Sequence, residues 1–319
     1  MSQTNPKKIV INTSEDLESI LKTAQEAIIV NLYANPDFNG FHVFDILAVK
    51  KFVEILKIKP KEFNEDFELK ITYLVHLSKC MLRIIDFETS FGNIDSFRVA
   101  RYNDSDFNLR DLFSKIKQNK IILKAITSTI EDLTEYSIED VDLNRIQLVF
   151  FESNIFRLNG VAGISKVFMS LSSFENFLQK MVSNKFNQEN KKLMARLYFI
   201  RLIVHELVHV VNRDRKKDLN TSSPKMSDFH SLKLKDEEFK DAGIIAEKKI
   251  FSQRIDFFES INQYHALNFQ YIASFYDDLI EKEMDVKFDV LKSRMIPSST
   301  VPCMMGIDMD FEKNSFTFE

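Results

Sequence analysis

The chain has no tryptophan, six glycines, six prolines and two cysteines in 319 residues. So little glycine and proline excludes collagen-like and Gly/Pro-rich disordered architectures. Cys80 and Cys303 stand far apart in a chain whose amino terminus lacks the apolar core of a signal peptide, so they read as free thiols and not as a disulfide framework. No apolar run reaches the ~18 residues of a membrane-spanning helix. Positive charge is not in excess either, since 43 Lys and Arg against 47 Asp and Glu leave a formal net charge of −4. Neither nucleic acid nor a membrane span is therefore expected. The cytoplasm is the expected location, and a protein exported by a specialised route would carry the same features. What is present, 45% hydrophobic and 28% charged residues, is the composition of a globular chain with room for one large domain or two modest ones.

Within this background one run carries chemistry, His205-Glu206-Leu207-Val208-His209. The segment 189–215 has no Gly or Pro, is rich in good helix formers and follows Asn187, a suitable cap, so it predicts one long helix. Apolar residues at 197, 200, 204, 207, 208 and 211 give it a core-facing stripe. On such a helix His205 and His209 project from one face a turn apart and both reach a single metal ion, for which Zn2+ is the expected identity. Glu206 lies about 100° around the helix from His205. From there it can act as general base on a water without being a ligand. Two imidazoles and a carboxylate in an apolar helix would be costly to bury without a partner such as a metal.

A third protein ligand is required. The metzincin pattern fails, because it needs Gly three residues and His or Asp six residues after the second His, where Asn212 and Arg215 stand. A second helix is expected over 236–251 and offers Glu237, Glu238, Asp241 and Glu247; outside it lie Asp214, Asp218, His230 and His265. Gly243 is one turn before Glu247. Glycine inside a helix costs about 1 kcal/mol relative to Ala, so its presence points to close approach of another backbone, as the metal-bearing helix would require. Asp241 is a candidate for accepting the second ring N–H of a ligand His.

His205-Glu206-x-x-His209 followed by Glu247-x-x-x-Phe251 resembles the gluzincin arrangement of zinc peptidases, of which the clostridial neurotoxin light chains are one family. The likeness covers roughly 145–255 and departs at Ser252-Gln253, where that family has a Gly pair. It implies a zincin fold and a zinc site of His205, His209 and Glu247, with Glu206 as catalytic base. The expected fold is α+β, with a small mixed sheet packed on the metal-bearing helix in a domain over 141–319. An α/β, mostly helical region over 1–140 precedes it. In that region 8–12 and 27–33 read as strands, and 43–58, 64–87, 108–117 and 123–135 as helices.

RIQLVFFESN (145–154) and KVFMSL (166–171) read as the sheet strands, joined by the Gly-containing loop LNGVAGIS, with 166–171 the candidate for pairing with an extended peptide. An aromatic-rich helix is expected over 261–283, and Tyr264, His265, Tyr271 and Arg294 are candidates for oxyanion stabilisation. The function expected is an intracellular zinc-dependent peptidase, an endopeptidase acting on peptide or protein substrates. The alternatives are a non-catalytic binding or inhibitory module on the same fold, and an exported effector or toxin protease.

Overall fold

The structure, a computed structural model, describes residues 14–33, 64–80, 96–134, 141–155, 158–221 and 241–298, with three short strands at Val301–Pro302, Ile307–Asp310 and Ser315–Phe318. It is mixed α and β, mostly helical, with one small mixed sheet of four strands beside two smaller antiparallel ones. The elements used below are α1 (Ser14–Tyr33), α2 (Glu65–Cys80), β1 (Arg98–Ala100), α3 (Leu109–Gln118), α4 (Lys120–Thr134), β2 (Gln147–Glu152), β3 (Gly160–Ala162), β4 (Lys166–Ser170), α5 (Leu171–Ser183), α6 (Gln188–Lys216) and α7 (Ala242–Phe251).

The long helix α6 forms as its sequence predicts. Asn187 caps it by accepting the Asn190 N–H at 2.8 Å, and Lys217 closes it in a left-handed conformation with φ 53°. Every residue from Leu197 to Asp214 is buried, so α6 is the central helix of the core and not a surface amphipath. Aromatic rings fill the space beside it: Phe177 of α5 stacks on Tyr198 with centroids 4.5 Å apart, and Phe257 meets the same ring edge-on at 5.5 Å.

The sheet runs in the order β1-β2-β4-β3, with β2 and β4 parallel and the outer pairs antiparallel. Leu148, Phe150, Ala162, Val167 and Met169 share one hydrophobic cluster with α6, as alternation along a strand requires. The opposite face, with Phe151, is covered from α2, where Tyr73 packs on Phe97 and Phe97 on Phe151. From Asp66 to His76 α2 advances about 15 Å, close to the ~14 Å width of a four-stranded sheet. It accordingly touches both edges: Asp66 accepts the Val99 N–H of β1 at 2.5 Å, and His76 lies 3.3 Å from Arg213 beside β3. Helices α3 and α4 join the α6 cluster through Leu112, Phe113, Ile122 and Ile126, so the core runs across residue 140.

Three expectations are corrected. Residues 27–33 are not a strand but the end of α1; Leu21, Ala24, Ala27 and Ile28 are buried at helical spacing, and a short apolar run does not by itself distinguish strand from helix. The segment between β2 and β4 is not only a loop, because it contributes β3 as the edge strand and leaves β4 inside the sheet. The single helix expected over 261–283 is broken into Phe257–Asn262, a 3₁₀ turn at Tyr264–Ala266, Phe269–Tyr276 and a π turn at Asp277–Glu281, with Asp256 and Asn268 starting new helices as caps. The expected strand 8–12 and helix 43–58 lie outside the described residues, as do 81–87 of the expected helix 64–87.

Candidate metal centre

On α6 the residues Arg201, His205, His209 and Arg213 recur every fourth position and so form one stripe. Helix α7 packs along this stripe in the opposite direction, with Glu247 beside Arg201 and His205, Gly243 against His205, and Asp241 beside His209. Asp241 caps α7 by accepting the Ile244 N–H at 3.0 Å, which fixes its carboxylate at the helix start. Its two oxygens lie 3.8 Å from His205 Nε2 and 3.5 Å from His209 Nε2. Among the described residues His205, His209 and Asp241 are the only group of three or more His, Cys, Asp or Glu able to hold one ion, with ligand atoms all within 4.8 Å of one another. His209 Nε2 and Asp241 Oδ2 are both buried without a hydrogen-bond partner. Orphaned buried groups of this kind are costly, and a cation between them would satisfy both.

Glu247, expected as the third ligand, stands elsewhere in this arrangement. Its Oε1 lies 2.7 Å from His205 Nδ1, and its Oε2 accepts from Arg201 Nε at 2.9 Å. The carboxylate therefore backs His205 from the ring nitrogen opposite the convergent group, while Asp241, expected behind the ligands, faces both imidazoles. A six-residue offset on α7 turns the two side chains about 120° apart. Sequence spacing did not separate them, because both fall within reach of the α6 stripe once the helices touch.

The contact is close because of Gly243. A Cβ there would sit 2.4 Å from Cε1 and Nδ1 of His205, a clash that must displace the imidazole or the helix. Gly243→Ala is expected to weaken metal binding at least tenfold and to lower Tm by several degrees, measured by metal titration and thermal unfolding; unchanged values would contradict this packing. Gly160 makes the second close approach. Its Cβ would meet Phe168 O at 3.1 Å and Glu206 Oε1 at 3.2 Å, so β3 runs directly against the Glu206 carboxylate.

Burial sets the electrostatics. His205, Glu206, His209 and Asp241 are 6%, 4%, 2% and 0% exposed. Burial pushes the Glu206 carboxyl up, against the opposing pull of His205, His209 and Arg213. Burial also pushes Asp241 and Glu247 up, but His209 and His205 outweigh it at Asp241, and Arg201 and His205 at Glu247, holding each at about 2. For His205, burial favours the neutral ring, and the Glu247 hydrogen bond with the nearby carboxylates more than reverses this. A cation entering the site takes the place of that proton.

The remaining candidates have other duties or lie outside the described residues. Asp214 is bound by Arg145 and by Lys217 Nζ at 2.6 Å, and Asp218 accepts the Asn220 N–H at 2.7 Å. Tyr271 Oη accepts the Asp289 N–H at 2.7 Å, Tyr264 packs on Phe186, and His265 packs on Tyr264. Arg294 is the left-handed C-cap of Val290–Ser293, with φ 59°. Glu237, Glu238, His230 and Cys303 lie outside the described residues. The sequence reading missed Arg201 and Arg213, although their four-residue spacing from the histidines was the available signal.

Comparisons of the chain with protein-family models, with curated proteins and with solved structures return no match. No described helix is long and apolar enough to cross a membrane.

Proposed function

We propose that the chain is a zinc-dependent peptidase of zincin type in which His205, His209 and Asp241 hold the metal, Glu206 is the general base, and Glu247 orients His205. The observation that carries this reading is the pair of orphaned buried atoms, His209 Nε2 and Asp241 Oδ2, facing His205 within a group of ligand geometry. Two imidazoles and one carboxylate are a donor set suited to zinc in a catalytic site. A zinc ion held there supplies Lewis acidity toward a carbonyl and lowers the pKa of water.

The chain's own residues do the rest. Glu206 shares α6 with the histidines without facing Asp241's ligand position, and its raised pKa suits a group that takes a proton from water and returns it to the leaving amine. Glu247 accepts His205 Nδ1–H and so directs Nε2 toward the site, while Arg201 keeps Glu247 ionised. Gly160 lets the backbone of β3 pack against the Glu206 carboxylate and hold it in place. A second reading, a metal-stabilised binding module, draws on the near-complete burial of all four site groups. Incubating the zinc-loaded chain with a diverse peptide library separates the two: the peptidase reading expects cleavage that is abolished by a chelator and restored by zinc, and no cleavage of any peptide favours the binding module.

A further inference from the structure

The Glu206 carboxylate accepts no hydrogen bond from a described residue, so its direction is set by what packs on it. That is the backbone of β3: a Cβ at Gly160 would stand 3.2 Å from Glu206 Oε1 and 3.3 Å from its Cγ. The strand is in turn tied to α6 on either side of this contact. Before Gly160, Asn159 Oδ1 accepts from Tyr198 Oη of α6 at 2.8 Å and from Ser173 Oγ of α5, while Asn159 C=O accepts the Ser170 N–H at 2.9 Å. After it, Ala162 C=O accepts from Arg213 Nη1, and Arg213 Nε donates to Thr221 C=O at 3.2 Å. Tyr198, Glu206 and Arg213 follow one another along α6 in the order in which Asn159, Gly160 and Ala162 follow along β3. Asn159, Ser173, Tyr198 and Arg213 are all buried. In such surroundings a fully bonded polar group specifies one position for the backbone that carries it.

Resting on the peptidase reading above, we propose that Tyr198 is a positioning residue for the reaction: through Asn159 it fixes β3 at Gly160, and Gly160 fixes the carboxylate that serves as base. A base must lie within hydrogen-bond reach of the proton it takes, and small displacements of the strand carry that carboxylate out of reach. The hydroxyl is the part of Tyr198 that makes the tie. Its ring is held independently, stacked on Phe177 with centroids 4.5 Å apart and met edge-on by Phe257 at 5.5 Å.

Tyr198→Phe keeps that ring packing and removes only the hydroxyl. In the zinc-loaded full chain it is expected to lower kcat about tenfold on a cleaved peptide, with KM within about twofold of wild type and zinc content unchanged. In a Glu206→Gln background the same substitution is expected to cost nothing further, since no base remains to be positioned. Amide hydrogen exchange over 159–163 is expected to be faster in Tyr198→Phe than in wild type even without zinc, a readout independent of activity. A merely structural Tyr198 would lower the melting temperature and leave kcat unchanged well below it, or lower kcat by the same factor in both backgrounds; either result overturns the proposal. Unchanged amide exchange over 159–163 overturns it as well, because the strand would then not depend on the tie. Absence of cleavage by zinc-loaded wild type defeats the peptidase reading and this inference with it, and is told apart from the other failures by the missing wild-type activity.

Discussion

Glu206→Gln is expected to retain a full equivalent of zinc and to lose peptide hydrolysis by roughly 10²- to 10⁴-fold in kcat, the usual worth of a positioned general base. The amide keeps the volume of the side chain against Gly160, which leaves only about 3.2 Å between an added Cβ and Glu206 Oε1, so the packing of β3 is undisturbed. It removes the carboxylate next to His205 on α6 that can accept a proton from water without being a ligand. Because Glu206 is buried beside both histidines, the neutral amide also relieves desolvation, and the variant should unfold at a temperature no lower than wild type. Steady-state kinetics, metal analysis and thermal unfolding on the same preparation check all three statements. Equal turnover by the two proteins excludes Glu206 as the base.

The second large effect separates the two carboxylates of α7. Asp241→Ala removes the carboxylate that faces both Nε2 atoms and should abolish stoichiometric zinc binding. Glu247→Gln leaves the three convergent groups in place and alters only the group behind His205, so it should keep one zinc with an affinity about 10- to 100-fold lower, as for other changes to groups that orient a ligand His. Competition with a chromogenic chelator measures both. Were Glu247 the ligand, the order would reverse: Glu247→Gln would lose the metal and Asp241→Ala would weaken it. Removing Asp241 also costs a helix cap, about 1 kcal/mol, so a circular dichroism spectrum with native helix content is part of the result.

Much of this was legible in the sequence because it depended on local periodicity. The helix α6, its Asn187 cap, the i, i+4 histidines and the neighbouring Glu206 follow from spacing alone, as do the strands 147–152 and 166–170. Gly243 does mark a close approach, but of the His205 imidazole and not of another backbone. What stayed hidden depended on how elements meet. Asp241 and Glu247 are both acidic residues on the second helix, and only the angle at which α7 abuts α6 decides which faces the imidazoles. Strand β3 is three residues long and contains Gly160, so no alternation within it distinguishes it from a loop. Arg213 stands near a helix end, where a charged residue commonly faces solvent; it is instead buried among Ala162, Thr221 and His76, the last 137 residues earlier in the chain on α2.

The central claim is that a metal sits among His205, His209 and Asp241, and the most direct measurement is metal content by mass spectrometry, with X-ray absorption, on the full chain purified without added zinc. The account predicts one zinc per chain with two imidazole nitrogens at about 2.0–2.1 Å and carboxylate oxygen at about 2.0–2.2 Å, lost in His205→Ala and Asp241→Ala. A chain that takes up no zinc when offered an excess, or one whose zinc content is unchanged in both variants, would contradict it.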